Sequence, residues 1–175
     1  MTMIYVGSTR QKSIVERIRS FGWGRIWTDR SPTINNTLPG EYWAFDNNAY
    51  AYHKRDELFN WREYLKKIKR VIYNLGEDYD PQFCVCPDVV GNWQNTVELL
   101  DPVFEDRIMD IGTYWMWYFV IQDDMPISMA KEIVEKHHYI QGFFLGGTDK
   151  LKKEAGKWAD LSRDLGVKLR SSKAP

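Results

Sequence analysis

The sequence predicts an α/β protein of the TIM-type (β/α) barrel class, short or incomplete, with about seven of the eight strands. Apolar runs alternate with helical patterns along the chain, which favours a parallel sheet. Four of the runs end in small polar clusters, at residues 43–48, 83–88, 119–123 and 143–148. Polar groups at the C-terminal ends of strands are how such barrels build active sites. A closed barrel takes about 250 residues and this chain has 175, so we expect a short barrel, an open one, or one completed by a partner.

Composition indicates one soluble globular domain over residues 1–175, because 43% of the residues are hydrophobic and 27% are charged. Lys plus Arg equals Asp plus Glu, so nucleic acid would have to bind at a local patch. The longest apolar run, residues 114–121, is too short to span a bilayer. The N-terminus lacks the pattern of a signal peptide. We therefore expect no membrane association and a cytoplasmic location, the host cytoplasm if the protein is encoded by a virus.

In the first part of the chain, we predict strands at residues 3–8, 25–28 and 42–45 and a loop at 29–40, which is rich in Asn, Thr, Ser and Pro. A helix over residues 13–21 is predicted by apolar residues at helical spacing, followed by Gly22 as a stop.

The clearest helical pattern runs over residues 60–75. Asn60 is a candidate N-cap, Glu63 follows at capping-box spacing, and Gly76 closes the far end. Four basic residues lie mostly outside the apolar face of this helix. The simpler interpretation is that they form a solvated face, and the alternative is that they contact phosphate. The four residues are Lys66, Lys67, Lys69 and Arg70.

The rest of the chain keeps the same alternation. The predicted strands are 82–86, 115–121, 139–145 and 167–170, and the predicted helices are 93–100, 126–138 and 148–165. Pro102 limits the first of these helices, and Pro126 begins the second, where its missing N–H costs little. Thr148 is a candidate cap of the third, and Gly166 follows its end.

The two cysteines, Cys84 and Cys86, lie two apart in a predicted strand. This is poor disulfide geometry. A tetrahedral zinc site needs about four ligands, and only three histidines could join the cysteines. We therefore expect buried free thiols, with no metal and no cofactor.

Two carboxylates at strand ends are candidate catalytic groups. Asp46 is followed by two asparagines, which suits a sharp turn that leaves its carboxylate exposed. Taken alone, an Asx-turn or helix cap is the simpler interpretation. Asp88 follows Pro87, whose fixed φ aims the next residue, and Gly91 lets the chain turn away. A cap is an equally simple interpretation of Asp88.

An amide side chain and a pair of glycines are the other candidate site residues. Gln122 ends the most hydrophobic strand and offers both donors and an acceptor, as reading a purine edge requires. Gly146 and Gly147 open a predicted helix and would present bare N–H groups to a base carbonyl or phosphate. Together these groups match the polar edge of guanine, with an aromatic ring stacked on the base. The candidate rings are Tyr50, Trp43 and Trp93.

The strand-end motifs resemble those of the tRNA-guanine transglycosylase superfamily, most closely its small branch associated with inserting 7-deazaguanine bases into DNA. The resemblance covers most of the chain from Tyr5 to Arg170. It is carried by residues 45–50, 85–92, 121–125 and 144–148.

The resemblance implies a pentosyltransferase that exchanges guanine for a 7-deazaguanine in nucleic acid, either DNA or tRNA. Asp46 would be the acid/base carboxylate near the glycosidic bond, and Asp88, which we also place among the catalytic residues, would hold the guanine amino edge. The substrate-binding residues would be Gln122, Gly146, Gly147, Asn47 and Tyr50.

The sequence departs from the family pattern in several places. Asn48 and Asp124 stand where the family motifs have glycine, and residues 169–172 differ from the Gly-Arg-x-Asn segment of the small branch. The family's nucleophilic Asp and the zinc site of the larger tRNA enzymes lie beyond the point where this chain stops. We expect a sequence truncated before the last barrel strand, with the covalent machinery lost, relocated or supplied by another chain, including a second copy.

Two other functions remain open at this stage. One is a non-catalytic nucleobase- or nucleic-acid-binding protein on the same scaffold. The other is a simple N-glycosidase in which Asp46 and Asp88 act as a hydrolytic pair and release the base without exchange.

Overall fold

The computed structural model shows an α/β fold built on one all-parallel sheet. It describes residues 5–7, 11–28, 42–75, 81–100, 104–105, 107–108, 116–147 and 149–171. The strands are β1 (Tyr5–Gly7), β2 (Gly24–Thr28), β3 (Trp43–Asp46), β4 (Cys84–Val85), β5 (Trp117–Ile121), β6 (Ile140–Leu145) and β7 (Lys168–Ser171).

The sheet is open, and the prediction of a TIM-type barrel is wrong. The strands follow one another in sequence order from β1 to β7. Within the described residues, β1 pairs only with β2 and β7 only with β6. A barrel needs hydrogen bonds between its first and last strands, and these two strands are instead the edges of a half-barrel sheet. A partner that completes the sheet stays a prediction.

Most of the described helices pack on one face of the sheet. The helices are α1 (Lys12–Ser20), α2 (Ala49–His53), α3 (Trp61–Leu75), α4 (Trp93–Glu98), α5 (Ile127–Lys136), α6 (Asp149–Lys153) and α7 (Ala155–Asp164). Helix residues such as Tyr64 and Trp158 pack in one apolar cluster with Trp117 and Phe119 of β5. Every residue of β5 is buried, as expected for a strand covered on both sides.

The opposite face of the sheet, called the inner face below, is packed by side chains of the sheet itself. Its buried cluster consists of Ala44, Phe83, Val85, Tyr118, Val120 and Phe144, and none of the described helix residues belongs to it. The rings of Phe83 and Tyr118 stack with centroids 4.6 Å apart. No described helix belongs to this cluster. The part of the inner face at the C-terminal ends of the strands can therefore form the floor of a ligand site.

Helix α3 is positioned as the sequence predicts. The Asn60 side chain accepts hydrogen bonds from the backbone N–H groups of Arg62 and Glu63, at 3.1 and 3.3 Å, so the predicted N-cap is confirmed. Glu63 is ion-paired with Lys66 at 2.7 Å. On the buried side, the Tyr64 hydroxyl donates to the Val85 carbonyl at 2.7 Å, which ties the helix to the end of β4.

Other elements differ from the predictions in their bounds. The single helix predicted over residues 148–165 is two helices, because the chain turns at Glu154, whose N–H bonds to Leu151 O at 3.0 Å. Strand β4 is two residues long instead of five. The short helix α2 was not predicted. The predicted loop 29–40, Gly76, Pro102 and the cap Thr148 lie outside the described residues.

Both cysteines are free and buried, as predicted. None of the helices in the described part of the chain combines the length and apolar character needed to cross a membrane.

Candidate functional site

A cavity of about 600 Å³ lies at the C-terminal ends of the central strands. Its walls come from the segments that follow β3, β4, β5 and β6, and Val120 and Phe144 of the inner face form part of its lining. All seven predicted site residues line it: Asp46, Asn47, Tyr50, Asp88, Gln122, Gly146 and Gly147. The structure therefore brings together four motifs that are distant in sequence.

The Asp88 carboxylate lies at the centre of a hydrogen-bonded cluster. Its Oδ1 accepts from Nδ2 of Asn47 at 2.6 Å, and its Oδ2 accepts from Nε2 of Gln122 at 2.5 Å. The cluster joins the ends of three strands, β3, β4 and β5. Asp88 therefore does not cap a helix here, since Asn92 caps α4 by accepting from the Asn95 N–H at 2.9 Å.

Asn47 holds Asp88 in place. Its Nδ2 also donates to the Cys86 carbonyl at 2.5 Å, and its Oδ1 accepts from the Ala49 N–H at 2.9 Å. These contacts engage both amide protons and leave the residue 2% exposed. A direct contact between Asn47 and a ligand stays a prediction.

Gln122 is oriented from both ends of its amide. Nε2 donates to Asp88, and Oε1 accepts from the Gly91 N–H at 3.2 Å. Gly91 has a φ of +75°, a left-handed conformation that suits glycine. One amide proton and one lone pair of Gln122 lie outside these two bonds, which leaves the side chain with capacity for a ligand.

Asp46 fits both interpretations of its sequence pattern, a local turn and a carboxylate that faces a ligand site. Its Oδ1 accepts from the Asn48 N–H at 3.3 Å, which is the local turn expected from the asparagines. The residue is half-buried and lines the cavity at the same time. Its charge also raises the pKa of Asp88, so the two carboxylates interact.

The cavity is strongly acidic. Four carboxylates, Asp46, Asp88, Asp123 and Asp149, line it, and its described lining includes no Lys, Arg or His. Burial and the charge of Asp46 raise the pKa of Asp88 to about 7, although hydrogen bonds from Asn47 and Gln122 act in the opposite direction. Burial also raises the pKa of the Cys86 thiol. Such a cavity favours cations and neutral hydrogen-bond donors over anions.

Asp123 and Asp149 are lining residues that the sequence analysis missed. Neither residue is among the predicted site residues. The neighbouring Asp124 differs from Asp123, because it is exposed, pairs with Lys150 at 2.7 Å and has a left-handed backbone conformation.

Gly146 and Gly147 allow close packing at the end of β6. A Cβ on Gly146 would lie 2.5 Å from Cγ1 of Val120, and one on Gly147 would lie 2.7 Å from Cδ2 of Leu151. The N–H of Gly146 bonds to the Ile121 carbonyl at 3.2 Å. The prediction of two bare N–H groups is therefore wrong for Gly146, whose N–H belongs to the sheet.

We predict that Gly146→Ala lowers the free energy of unfolding by about 1–3 kcal/mol, because the new methyl group overpacks against Val120. Gly156→Ala is the matched control, since a Cβ there meets nothing within 4 Å. Urea unfolding of both variants measures the difference. The double variant Gly146→Ala/Val120→Ala should be more stable than the sum of its single effects implies. Strict additivity would contradict the proposed clash.

Of the three predicted stacking rings, Tyr50 alone is in the cavity lining. Tyr50 is 60% exposed, and Nζ of Lys54 lies 4.8 Å from its ring centroid. Trp43 is buried in the cluster between sheet and helices, and Trp93 packs against that cluster. Among the three predicted rings, Tyr50 is therefore the one that a base in the cavity could contact.

A second cavity of about 280 Å³ adjoins the first. The two share Ala49, Asp88 and Val90 in their linings, and the second is also lined by residues that follow α2, among them Leu58 and Phe59. No sequence pattern predicted this cavity, because α2 itself was not predicted.

Two non-glycine residues in the turns that follow strands β3 and β5 have a left-handed backbone conformation. Asn48 has a φ of +61° and Asp124 a φ of +59°. Asn and Asp tolerate this region better than other residues with a Cβ.

No protein-family model matches this chain, and no curated protein or solved structure matches it.

Proposed function

We propose that this protein binds guanine or a 7-deazaguanine in the 600 Å³ cavity and exchanges that base in nucleic acid, as a guanine transglycosylase-like pentosyltransferase. The observation that carries the proposal is the convergence of Asp46, Asp88, Gln122 and the Gly146–Gly147 pair on this one cavity. Its volume falls within the range of about 300–1,000 Å³ that is usual for small-molecule sites.

The polar groups of the cavity suit the edge of a guanine base. Guanine presents N–H donors at N1 and at its 2-amino group, and a carboxylate accepts from both. Each oxygen of Asp88 already accepts one amide hydrogen bond, and a carboxylate has about four acceptor sites. Gln122 contributes an acceptor and a donor beside it. The acidic lining disfavours a phosphate in the same place.

Asp46 is suited to move the proton in the exchange. When the bond between C1′ and the purine nitrogen breaks, the electron pair stays with the departing base, Asp46 supplies the proton that this nitrogen takes up, and C1′ is left as an oxocarbenium ion beside the carboxylates that line the cavity. The nitrogen of the incoming base then gives its electron pair to C1′ and its proton to Asp46, which restores the acid. General acid–base catalysis of this kind contributes about 10²–10⁴-fold in rate.

The left-handed residues Asn48 and Asp124 give further support to the family resemblance. A glycine in the related motifs is most useful where φ is positive. The two substitutions keep this backbone conformation with the residue types that best tolerate it, so they are compatible with the same strand-end turns.

We predict that labelled guanine enters guanine-containing tRNA or DNA when it is incubated with this protein, because Asp88 and Gln122 would hold the base edge in the cavity that Asp46 also lines. Scintillation counting of the recovered nucleic acid measures incorporation, and chromatography measures released guanine.

The other possible outcomes indicate other functions. Released guanine without incorporated label would indicate an N-glycosidase. Tight binding of guanine, with no label incorporated and no guanine released, would indicate a non-catalytic binding protein. If calorimetric titration with guanine and a 7-deazaguanine gives no heat at any temperature tried, and no label is incorporated, the proposed function is wrong.

A further inference from the structure

A cation lies on the inner face beside the acidic cavity. Arg170 belongs to the edge strand β7 and is the register partner of Phe144 in β6. Partners in adjacent parallel strands point to the same face and lie about 4.8 Å apart. Because Phe144 lines the cavity, Arg170 stands one strand away from its wall.

The guanidinium of Arg170 has N–H donors that are available to a ligand. Its Nε is buried, and within the described part of the chain no group accepts a hydrogen bond from it. Nη1 makes one long contact, 3.4 Å to the carbonyl of Leu169. A buried charged donor without an acceptor is costly, and the fork formed by Nε and Nη matches the oxygens of a phosphate.

Lys168 adds a second positive charge on the same edge strand. Lys168 lies two residues before Arg170, on the same face, and pairs in register with Gly142. Its Nζ contacts the sulfur of Met116 at 3.2 Å, which is a weak acceptor. None of the ion pairs found in the described residues involves Lys168 or Arg170.

The cavity and the adjoining edge of the inner face at β7 therefore favour ligands of different charge. The cavity is lined by four carboxylates and suits a neutral base with N–H donors, whereas the inner-face edge at β7 suits an anion. A nucleotide within a chain carries both chemistries, a base and an adjoining phosphodiester. A cationic track beside a base site is the usual arrangement in proteins that bind single-stranded nucleic acid.

We propose that Arg170, assisted by Lys168, binds a phosphodiester group of the nucleic acid whose base occupies the cavity. This inference rests on the proposed function and deepens it, because it assigns named residues outside the cavity to the backbone of the nucleic acid. It also distinguishes two tasks, recognition of the base by Asp88 and Gln122 and recognition of the backbone by Arg170.

The test compares Arg170→Gln and Arg170→Lys with the matched control Arg163→Gln. Arg163 is an exposed residue of α7 that pairs with Asp160 at 3.0 Å, and its replacement removes the same charge. Each protein is titrated with free guanine, with a single-stranded DNA oligonucleotide and with an RNA oligonucleotide of the same sequence containing one guanine. Circular dichroism melting checks that each variant is folded.

We expect Arg170→Gln to weaken oligonucleotide binding about tenfold and to leave the affinity for guanine within twofold of the wild type. The salt dependence should also fall, with the slope of log K against log salt reduced by about 0.7, the value for one single-strand phosphate contact. Arg170→Lys keeps the charge and should recover part of the loss. Arg163→Gln should change neither affinity. The DNA and RNA arms show which polymer supplies the phosphodiester.

Unchanged oligonucleotide affinity and an unchanged salt slope in Arg170→Gln would overturn the inference. So would an equal loss of guanine affinity, which would place Arg170 in the base site. Wild-type protein that binds guanine but neither oligonucleotide also overturns it and leaves the proposed base site intact. Binding of oligonucleotides that depends on Arg170, without binding of guanine, would support the phosphodiester contact and contradict the proposed function.

Discussion

Asp46→Asn should lower the rate of base exchange by about 10²–10⁴-fold, the usual contribution of a general acid–base group. Asparagine keeps the size of the side chain and its acceptor oxygen, so the bond from the Asn48 N–H can persist. It cannot give a proton to the departing base or take one from the incoming base. Incorporation of labelled guanine into nucleic acid measures the rate, and calorimetry measures the affinity for guanine, which should change much less.

The matched control for this variant is Asp124→Asn. Asp124 is also an aspartate at a strand-end turn, but it is exposed, pairs with Lys150 and is not in the cavity lining. Its replacement should leave incorporation near the wild-type rate. Equal losses in the two variants, or full activity of Asp46→Asn, would remove Asp46 from the chemistry.

Asp88→Asn should abolish a large pH dependence of stability. Burial, together with the charge of Asp46, raises the pKa of Asp88 from 3.8 to about 7. Between these pH values the folded protein keeps a proton that the unfolded chain releases. The free energy of unfolding therefore falls as pH rises from about 4 to 7, by on the order of 4 kcal/mol from this residue alone.

Urea unfolding at pH 4.5 and pH 8, for the wild type and Asp88→Asn, measures this effect. The stability of the variant relative to the wild type should increase from the lower pH to the higher one, because asparagine has no charge to bury. Asp124→Asn again serves as control. Its ion pair with Lys150 lowers the pKa of Asp124, so any stability from that pair is lost only as pH falls below about 4. Parallel stability curves for the wild type and Asp88→Asn would contradict a buried, protonated Asp88.

Local patterns predicted much of the site. Strand ends such as 43–48 and 119–123 could be recognised because an apolar run stops at a polar cluster. Parallel strands with helices between them place all such ends at one edge of a sheet. The gathering of Asp46, Asp88, Gln122 and Gly146 around one cavity follows from that rule.

The internal bonding of the site could not be predicted in the same way. Asn47 and Gln122 were expected to bind a ligand, and no sequence pattern indicated that both also donate hydrogen bonds to Asp88. The N–H of Gly146 was expected to be bare, and it bonds to the Ile121 carbonyl. Such contacts depend on distances of a few ångströms between neighbouring strands, which residue type and spacing do not encode.

The sequence by itself determined the α/β alternation, the N-cap at Asn60 and seven of the residues that meet at the cavity. These follow from periodicity and from turn and cap preferences that act over a few neighbouring residues. Only the tertiary structure decided that the sheet stays open, that Asp88 is buried beside Asp46, and that Arg170 stands beside Phe144. Closure, burial and register are set by how distant segments pack and pair, and so they depend on the whole sheet at once.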